Sequence, residues 1–553
     1  MHLHAWLPFL RWPRPSGALL RQELPAALTV SLLLLPQGMA YAALAGMPLQ
    51  SGLYAALLPA LVAVLWGASP RLGVGPTAIT SLLVGASLSG LAQPGSAQWV
   101  ALAAWLAIFA GVLQWALGAM RCGWLINVVT APVLSGFTQA AGLLIVLSQV
   151  PDLLGLRTSW RAWTYDPSWH HFNGWSALFG IGSLLLLLVL RRFAPRWPWA
   201  VGVLVLCAAI SAGVRFSDNE AAVIGHLPSG LQGWGLPAPV QWPILAQLLL
   251  PALMIALVSF LEVAASAQQE HQQAGTRWNE NQDLIAQGMA KVAAGLTGSF
   301  AVSGSFSRSA VLLQHGARTG WANVLAIGFV VMAMLWLTPW LYHVPRSALA
   351  AIVVLSVTSL LRPRHWLQLW RLSKAEASIA CVTFLLTLLT APTLYWGVVA
   401  GILLSLCHFL YHRLHPRIVE IGEHPDGTLR SRSIWDLPRI APDVLALRMD
   451  ADWDFASARA LERYIASALQ KAPHTHAIYL DAQSINRIDI TGIESFLRLR
   501  QSLHKQGIYW HISGLKLPIQ DTLTTAQALT ASNKLFLHRT AAQALQVLRS
   551  SKQ

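Results

Sequence analysis

Long apolar stretches separated by short polar turns make up the chain as far as residue 411. Between Leu24 and Pro151 there is no Asp, Glu or Lys, and the only arginines are Arg71 and Arg121. Because a helix needs about 20 apolar residues to cross a bilayer, this pattern predicts many spanning helices. About fourteen apolar runs are counted, at 24–46, 48–66, 76–90, 98–118, 123–149, 174–190, 197–214, 243–265, 284–300, a short run after Ser305, 321–341, 346–361, 376–391 and 393–411.

The pattern changes after residue 416. Val444–Met449, Ala477–Asp481 and Gly507–Ile512 are typical of strands, and Thr491–Lys505 is typical of an amphipathic helix. Alternating strands and helices predict a small α/β domain. The division is therefore an N-terminal segment at 1–23, a membrane domain at 24–415, a linker at 416–435 and a water-soluble domain at 436–553.

Composition supports this division and excludes several classes of protein. Apolar residues make up 55% of the chain and charged residues 11%, too few charges for a soluble enzyme or a disordered protein of this size. Residues 1–416 hold 21 Lys/Arg and 10 Asp/Glu, whereas residues 417–553 hold 17 and 13. The chain has a net charge of +15, but it lacks the compact run of basic residues that a nucleic-acid-binding surface needs.

No chemistry-bearing motif of an enzyme is present. The four cysteines lack metal-ligand spacing, and no P-loop or nucleophile elbow occurs. The N-terminal segment is broken by prolines and arginines and does not read as a signal peptide. We expect no cofactor, no metal and no catalytic residue, and any transport would be driven by ion gradients.

Most arginines between the apolar runs fall on one predicted side of the membrane, and an excess of arginine is typical of cytoplasmic loops. An N-terminus in the cytoplasm leaves outside only the segments near 150–172 and 215–242, which carry Arg157, Arg161 and Arg215. An even number of spans then places both termini in the cytoplasm.

Two of the apolar runs are unusual for spanning helices. The run at 69–90 begins its helix only after Gly75-Pro76, and the run at 295–320 is rich in Gly and Ser. One is the third of the first seven runs, and the other is the third of the second seven. Such matched interruptions indicate an inverted repeat with a binding site at mid-membrane. Two loosely packed helices rich in small residues are the alternative.

Two helix N-termini that meet inside the membrane would attract an anion through their free N–H groups and dipoles. The first offers the backbone at Pro76–Ala78 with the Thr77 hydroxyl. The second offers Ser303, Gly304, Ser305, Phe306 and Ser307. Arg308 follows in the first turn as the one cation near this site. The alternative is a structural cation that binds backbone carbonyls or faces a water-filled vestibule.

Glu262 stands alone among the acids of the membrane part inside an apolar run, LMIALVSFLEVAASA. Burial favours the neutral form of a carboxylate, which suits a proton-coupling residue. The alternative is a permanent salt bridge or a place near the end of its helix. Ser266 lies one turn further on and would stand beside a coupling ion.

Other candidates have a structural reading beside the functional one. Gln37 follows Pro36 and either lines the site or bonds a backbone group freed by that proline. Tyr41, Tyr54 and Phe306 are core-packing residues or ligand contacts. Thr491 is a helix N-cap with Glu494 completing a capping box, or a phosphoacceptor.

Several motifs together resemble the sulfate permease (SulP) family, and the tail resembles its C-terminal STAS domain. They are LPQGMAYAALAGMPLQSGLYAALLPA at 35–60, GVGPTAITSLL at 73–83, FLEVAASA at 260–267, NQDLIAQGMAKVAAGLTGSFAVSGSFSRSA at 281–310, GARTG at 316–320 and RIDITGI at 487–493. The resemblance implies fourteen segments in two inverted repeats of seven. It further implies a core domain of segments 1–4 and 8–11, a gate domain of segments 5–7 and 12–14, and a homodimer.

The resemblance also assigns residues. It places substrate-site positions at Gln37, Tyr41, Thr77, Ala78, Phe306, Ser307 and Arg308. Glu262 falls where sodium-coupled bicarbonate members carry Asp and proton-coupled sulfate members carry Glu, and Ser266 falls on a sodium-ligand position. Thr491 falls near a position phosphorylated in related anti-sigma-factor antagonists.

The expected function is proton-coupled symport of an inorganic oxyanion, sulfate first, by alternating access in a bacterial inner membrane. The alternatives are transport of bicarbonate or a C4-dicarboxylate, an uncoupled anion exchanger or channel, and a membrane-anchored sensor whose STAS domain binds a partner.

Overall fold

The computed structural model describes residues 7–156, 173–193, 199–214, 223–225, 234–336, 342–358, 360–529 and 534–550. Arg157, Arg161 and Arg215, which enter the orientation argument, lie outside these residues. The chain divides into two compact units, Met1–Ser405 and Leu406–Gln553, and each is described by itself.

The first unit is helical. Its helices are α1 (Gly17–Leu44), α2 (Leu49–Ala55), α3 (Leu58–Trp66), α4 (Ala78–Leu88), α5 (Ala97–Ala119), α6 (Ala131–Leu154), α7 (Gly174–Phe193), α8 (Trp199–Gly213), α9 (Trp242–Gln247), α10 (Leu249–Ala274), α11 (Glu280–Leu296), α12 (Phe306–Gln314), α13 (Trp321–Trp336), α14 (Arg346–Val357), α15 (Pro363–Leu372), α16 (Lys374–Leu389) and α17 (Tyr395–Leu414), the last of which runs into the second unit. Two very short strands, β1 (Val74–Gly75) and β2 (Ser303–Gly304), precede α4 and α12.

Each of the predicted apolar runs overlaps at least one of these helices. Within the described residues, seven helical segments are long and apolar enough to cross a membrane by length and composition, and α4, α8, α13 and α14 are shorter apolar helices. The predicted class, a helical membrane protein with a small α/β domain at its end, is confirmed. The sequence reasoning did not single out α15, an amphipathic helix with no buried residue.

Glycines allow helices of the first unit to approach very closely. On α5 and α11, a Cβ atom at Gly111 would lie 2.6 Å from the backbone oxygen of Gly288. Where α1 crosses α2, a Cβ atom at Gly52 would lie 1.9 Å from the backbone oxygen of Gly38. Only residues without a side chain fit at such contacts, so these helices are held backbone to backbone.

The second unit is built on a six-stranded sheet with the order β4-β3-β5-β6-β7-β8. Its strands are β3 (Ile418–Glu423), β4 (Leu429–Ser431), β5 (Val444–Met449), β6 (Ala477–Asp481), β7 (Tyr509–Ser513) and β8 (Leu535–His538), and its helices are α18 (Arg432–Trp435), α19 (Ala458–Lys471), α20 (Ile490–Lys505), α21 (Leu517–Thr525) and α22 (Ala541–Ser550). The strands β5 to β8 are parallel, and β3 pairs antiparallel with β4 and β5.

The predicted linker at 416–435 is wrong. This segment forms the hairpin of β3 and β4, and β3 lengthens the sheet by pairing with β5. Ile421 is buried there in the same hydrophobic cluster as Val444, so the segment belongs to the core of the unit. The strands predicted at Val444–Met449 and Ala477–Asp481 have the observed bounds, and the predicted helix begins one residue earlier, at Ile490.

Candidate functional site

The two interrupted segments meet in the structure. Val74 pairs with Gly304 and Gly75 pairs with Ser303, so β1 and β2 run antiparallel. The N–H of Ser305 also donates to the backbone oxygen of Gly73 at 2.8 Å. Because α4 and α12 follow these strands directly, this pairing brings the N-termini of both short helices to one place.

Each of these helices begins with a hydroxyl cap. Thr77 precedes α4, and its hydroxyl accepts from the N–H of Thr80; Ser305 precedes α12, and its hydroxyl accepts from the N–H of Arg308. The remaining N–H groups of a first turn have no partner inside their own helix. The two helix ends therefore present unpaired donors and the positive ends of two dipoles to the same region, which favours an anion there.

Arg308 joins the two helices. Its side chain is 1% exposed, and Nη1 donates to the backbone oxygen of Pro76 at 3.0 Å. Its Nε and Nη2 are buried and lack a hydrogen-bond partner within the part of the chain that the structure describes. The alternative role as a carbonyl anchor therefore accounts for one of three nitrogens. The other two are donors available to a ligand.

Glycines make room for this guanidinium. A Cβ atom at Gly73 would lie 2.8 Å from the Cβ atom of Arg308, and a Cβ atom at Gly75 would lie 3.4 Å from Nη2. Gly75 also has a φ of +154°, which disfavours any other residue. The GVG sequence is thus needed for the close approach of β1 to α12.

Glu262 lies beside the start of α4. It is half-buried on α10, and its Oε2 accepts from the hydroxyls of Thr77 at 3.1 Å and Thr80 at 3.3 Å. None of the ion pairs among the described residues includes Glu262, so the alternative of a permanent salt bridge does not hold there. Ser266 is buried, and its hydroxyl donates to the backbone oxygen of Glu262 at 3.1 Å.

The remaining candidates differ in their surroundings. Ala78 is buried at the first position of α4, whereas Phe306 is 49% exposed and Ser307 is exposed at the start of α12. The hydroxyls of Ser305 and Ser307 lie 3.1 Å apart. These residues lie together with Thr77 around the paired strands.

Candidates on the first helices are buried. On α1, Gln37 and Tyr41 are buried, and Oε1 of Gln37 has no hydrogen-bond partner among the residues that the structure describes. Tyr54 is buried on α2. A Cβ atom at Gly75 would lie 3.5 Å from the Leu34 side chain, so α1 packs directly against β1.

A second layer of buried carboxylates holds the loops around the site, and the sequence reasoning missed it. Asp283 accepts from the N–H groups of Ala68 and Ser69, from the Ser69 hydroxyl and from Nε1 of Trp278. Glu270 pairs with Arg71 at 3.1 Å. These contacts fix the loop that leads into β1.

Glu23 is a buried carboxylate that fixes the loop after α12. It is buried on α1 and accepts from the N–H groups of Arg318 and Thr319 and from the Thr319 hydroxyl. The GARTG loop that follows α12 is thereby tied to the first helix.

The structure buries a second cation within the helices of the first unit. Lys291 on α11 is completely buried, and its Nζ donates to Oε1 of Gln114 on α5 at 2.7 Å. A lysine inside the apolar run at 284–300 was the available sequence signal, since such a residue in a spanning helix is functional or paired.

In the second unit, the N-cap reading of Thr491 is wrong. Asp489 caps α20 through a bond from the Gly492 N–H at 2.7 Å, and its other oxygen accepts from the Phe455 N–H at 3.0 Å. Thr491 lies half-buried in the first turn. Both residues are favourable caps, and the start of the helix at Ile490 decides between them.

Comparisons with known proteins agree on one family. The sulfate permease family matches residues 20–383, and the STAS domain matches residues 438–542. The chain is 31% identical over 545 residues to a protein of Mycobacterium tuberculosis (strain H37Rv) named "Probable sulfate transporter", covering 96% of this chain and 95% of that one. It is 29% identical to the "Sodium-independent sulfate anion transporter" of Bos taurus, covering 95% and 88%.

Solved structures show the same fold. Murine Slc26a9, an anion transporter in the inward-facing state, superposes with a TM-score of 0.88 at 21% identity, covering 100% of this chain and 95% of that one. The transmembrane domain of the cyanobacterial bicarbonate transporter BicA superposes with a TM-score of 0.61 at 21% identity, covering 70% and 98%. The protein is therefore a multi-pass membrane transporter rather than an enzyme, and it belongs to the sulfate permease family of anion transporters.

Proposed function

We propose that this protein is a secondary active transporter that moves sulfate together with protons by alternating access. The observation that carries the proposal is a pair of buried donors on Arg308, Nε and Nη2, between the N-termini of α4 and α12. Neither donor has a partner in the described part of the chain. An oxyanion bound there would accept charged hydrogen bonds from the guanidinium and further bonds from the helix N–H groups.

The donors favour an oxyanion over a cation or a neutral solute. Ser305 and Ser307 add hydroxyl groups around the same point, and Thr77 lines it with its hydroxyl donated to Glu262. Sulfate is the first choice because relatives spanning nearly the whole chain are named sulfate transporters. Gln37, Tyr41, Ala78 and Phe306 complete the proposed substrate site.

Glu262 is the proposed proton carrier. Its carboxylate is bonded to Thr77, whose residue also caps α4, so its charge lies next to the proposed anion. A negative carboxylate repels the anion, and a proton bound to Glu262 removes that repulsion. Anion and proton therefore strengthen each other's binding, which is the thermodynamic condition for symport. Ser266 stands beside this residue.

Further parts of the proposal concern architecture. Two inverted repeats would form a core domain of segments 1–4 and 8–11 that moves against a gate domain of segments 5–7 and 12–14. The protein would work as a homodimer in a bacterial inner membrane with both termini in the cytoplasm. The proposed role of Thr491 is that of a regulatory phosphoacceptor in the STAS domain.

The test is sulfate uptake by the purified full-length protein in liposomes, with an inward proton gradient imposed or omitted. We expect gradient-dependent accumulation in the wild type. Glu262→Gln should abolish that accumulation and leave sulfate binding, measured by calorimetry in detergent, within about threefold. Glu376→Gln, which changes an exposed acid at the start of α16, is the matched control.

The outcomes separate the alternatives. Sulfate flux that ignores the proton gradient would indicate an uncoupled exchanger or channel. Uptake of bicarbonate or fumarate, with no uptake of sulfate, would show that the transported anion is not sulfate. Binding of an anion with no flux at all would favour the sensor, and loss of sulfate binding in the Glu262→Gln variant would remove its role as a proton carrier.

A further inference from the structure

The helix α15 connects two predicted spans and has no part in the function proposed above. It follows α14 and precedes α16, which lie in the apolar runs at 346–361 and 376–391. Its ten residues measure about 15 Å, half the hydrocarbon core of a bilayer, so this helix is too short to cross the membrane. A connection of this kind between two spans lies at a membrane surface.

One edge of α15 is fixed to the helices beside it. Nε1 of Trp366 donates to Oε1 of Gln139 on α6 at 2.7 Å, and the N–H of Arg362 donates to the same oxygen at 3.3 Å. The Trp366 ring also stands edge-on to the ring of Phe384 on α16, with the ring centroids 5.5 Å apart. These contacts fix the rotation of α15 about its own axis and so determine which side it turns outward.

The side next to this edge is apolar and uncovered. Residues three and four positions apart are neighbours on a helix surface, so Trp370 lies beside Trp366, and Leu367 lies beside Trp370. Within the described part of the chain Trp370 is 51% exposed and Leu367 is 64% exposed, and α15 has no buried residue. We call Leu367 and Trp370 the open face. Tryptophan is enriched where hydrocarbon meets water, which is the environment at the surface of a bilayer.

Two arginines border the open face on the side away from Trp366. Arg364 precedes Leu367 by three residues and Arg371 follows it by four, so both are neighbours of Leu367 on the helix surface. Both are exposed, and neither belongs to an ion pair among the residues that the structure describes. Their charges are therefore available to a partner outside the chain.

Few acids of the neighbouring segments oppose these charges. The chain contains no Asp or Glu between Asp283 and Glu376, and the segment 362–376 holds four Lys/Arg against one Glu. The only acid of α6 is Asp152, about 20 Å along the helix axis from Gln139. The segment is thus positively charged, and an amphipathic helix with basic residues beside an apolar face is typical of binding to anionic membrane surfaces.

We propose that α15 is a binding surface for anionic phospholipids. Leu367 and Trp370 enter the boundary between head groups and acyl chains, and Arg364 and Arg371 bind the lipid phosphates above it. A guanidinium group donates two parallel, charged hydrogen bonds to a phosphate. The ligand comes from the bilayer that holds α14 and α16, so it adjoins the helix already. Zwitterionic lipids bind less well because their own cation offsets the phosphate charge. This surface does not depend on which anion the protein carries.

The experiment measures hydrogen exchange of the α15 amides in the purified full-length protein. The protein is placed in nanodiscs of phosphatidylcholine alone or of phosphatidylcholine mixed with phosphatidylglycerol. We expect slower exchange of α15 in the discs with phosphatidylglycerol. Because each arginine near an anionic membrane surface strengthens association about fivefold, Arg364→Gln/Arg371→Gln should lower the protection of α15 in those discs by about 30-fold. Unchanged exchange of the α11 amides shows that the variant is folded.

A matched control removes the same charge elsewhere. Arg459→Gln/Arg463→Gln changes two exposed arginines of α19 in the second unit and should keep the wild-type difference between the two kinds of disc. Equally fast exchange of α15 in both discs, or an undiminished lipid effect in Arg364→Gln/Arg371→Gln, would overturn the proposal. Equally slow exchange in both discs would overturn it as well, since a protein segment or a second copy would then cover the open face.

Discussion

Arg308 donates from Nη1 to the backbone oxygen of Pro76 at 3.0 Å and so ties the first turn of α12 to the residue that precedes the cap of α4. One side chain thus holds the two helix N-termini at a fixed separation and directs its remaining donors into the region between them. Holding donors in place before the ligand arrives lowers the entropic cost of binding it.

The first prediction concerns this residue. Arg308→Gln removes a charged donor pair, each bond of which contributes about 1.5–3 kcal/mol. The two bonds together contribute about 3–6 kcal/mol, so sulfate affinity should fall by about 100-fold or more, measured by titration calorimetry. Arg318→Gln, an exposed arginine just after α12, should leave it unchanged. An unaltered affinity in the first variant would reduce Arg308 to a backbone anchor.

The second prediction concerns the loop before β1. Asp283→Ala leaves four donors around Ala68, Ser69 and Trp278 without their acceptor. We expect a loss of about 3 kcal/mol or more in the free energy of unfolding, read as a lower melting temperature in detergent. Asp521→Ala, on the exposed side of α21, should change it little. Equal melting temperatures for both variants would contradict this role of Asp283.

The third prediction concerns the crossing of α1 and α2. Gly52→Ala places a methyl group 1.9 Å from the Gly38 oxygen, so the two backbones must separate. We expect destabilisation by about 3 kcal/mol and poor yield of folded protein. Gly182→Ala on α7, where no atom lies within 4 Å of the added Cβ atom, is the matched control and should fold as the wild type does. A well-folded Gly52→Ala variant would show that this crossing can relax.

The fourth prediction concerns the pH dependence of the second unit. His511 on β7 stacks on His538 of β8, with Nδ1 and Nε2 3.0 Å apart. Burial, and then the neighbouring His538, lower the pKa of His511 from 6.5 to about 4. As the pH falls from 6.5 to about 4, His511 becomes protonated in the unfolded chain but stays largely neutral in the folded sheet. The free energy of unfolding therefore falls, by about 2 kcal/mol.

Hydrogen exchange of the β7 and β8 amides in the full-length protein measures this loss. Exchange should be faster at pH 4.5 than at pH 7, after correction for the intrinsic rate. His511→Phe keeps an aromatic ring and cannot titrate, so the difference should shrink to the smaller part due to His538. The same pH effect in the variant would assign it to other groups.

Much of the membrane unit could be predicted because its signals are local. A run of apolar residues can be identified without knowing what it packs against. Thr77 and Ser305 are residue types that favour the N-cap position, and they precede α4 and α12. The matched positions of these helices in the two halves of the chain predict that their N-termini meet. The side chains that support the two helices could not be predicted.

The rest depends on contacts between distant segments. The acceptor role of Asp283 requires the loop at Ala68 and Ser69, more than two hundred positions away, and the link from Lys291 to Gln114 joins residues 177 positions apart. A single sequence carries no sign of such partners. The hairpin of β3 and β4 was missed because a short, polar edge hairpin resembles a linker until its pairing with β5 is known.

The pairing of β1 with β2 also bears on how the protein is made. Arg308 and Pro76 are 232 positions apart, and Val74 and Gly304, which pair in β1 and β2, are 230 positions apart. While the ribosome is still synthesising the second half, α4 has no partner at its N-terminus, and its unpaired backbone groups stand inside the bilayer. The nascent first half must therefore wait in an unfinished state, shielded by the insertion machinery or by neighbouring helices, until residue 308 has entered the membrane. The binding site is therefore one of the parts of the first unit that cannot form until most of that unit has been synthesised.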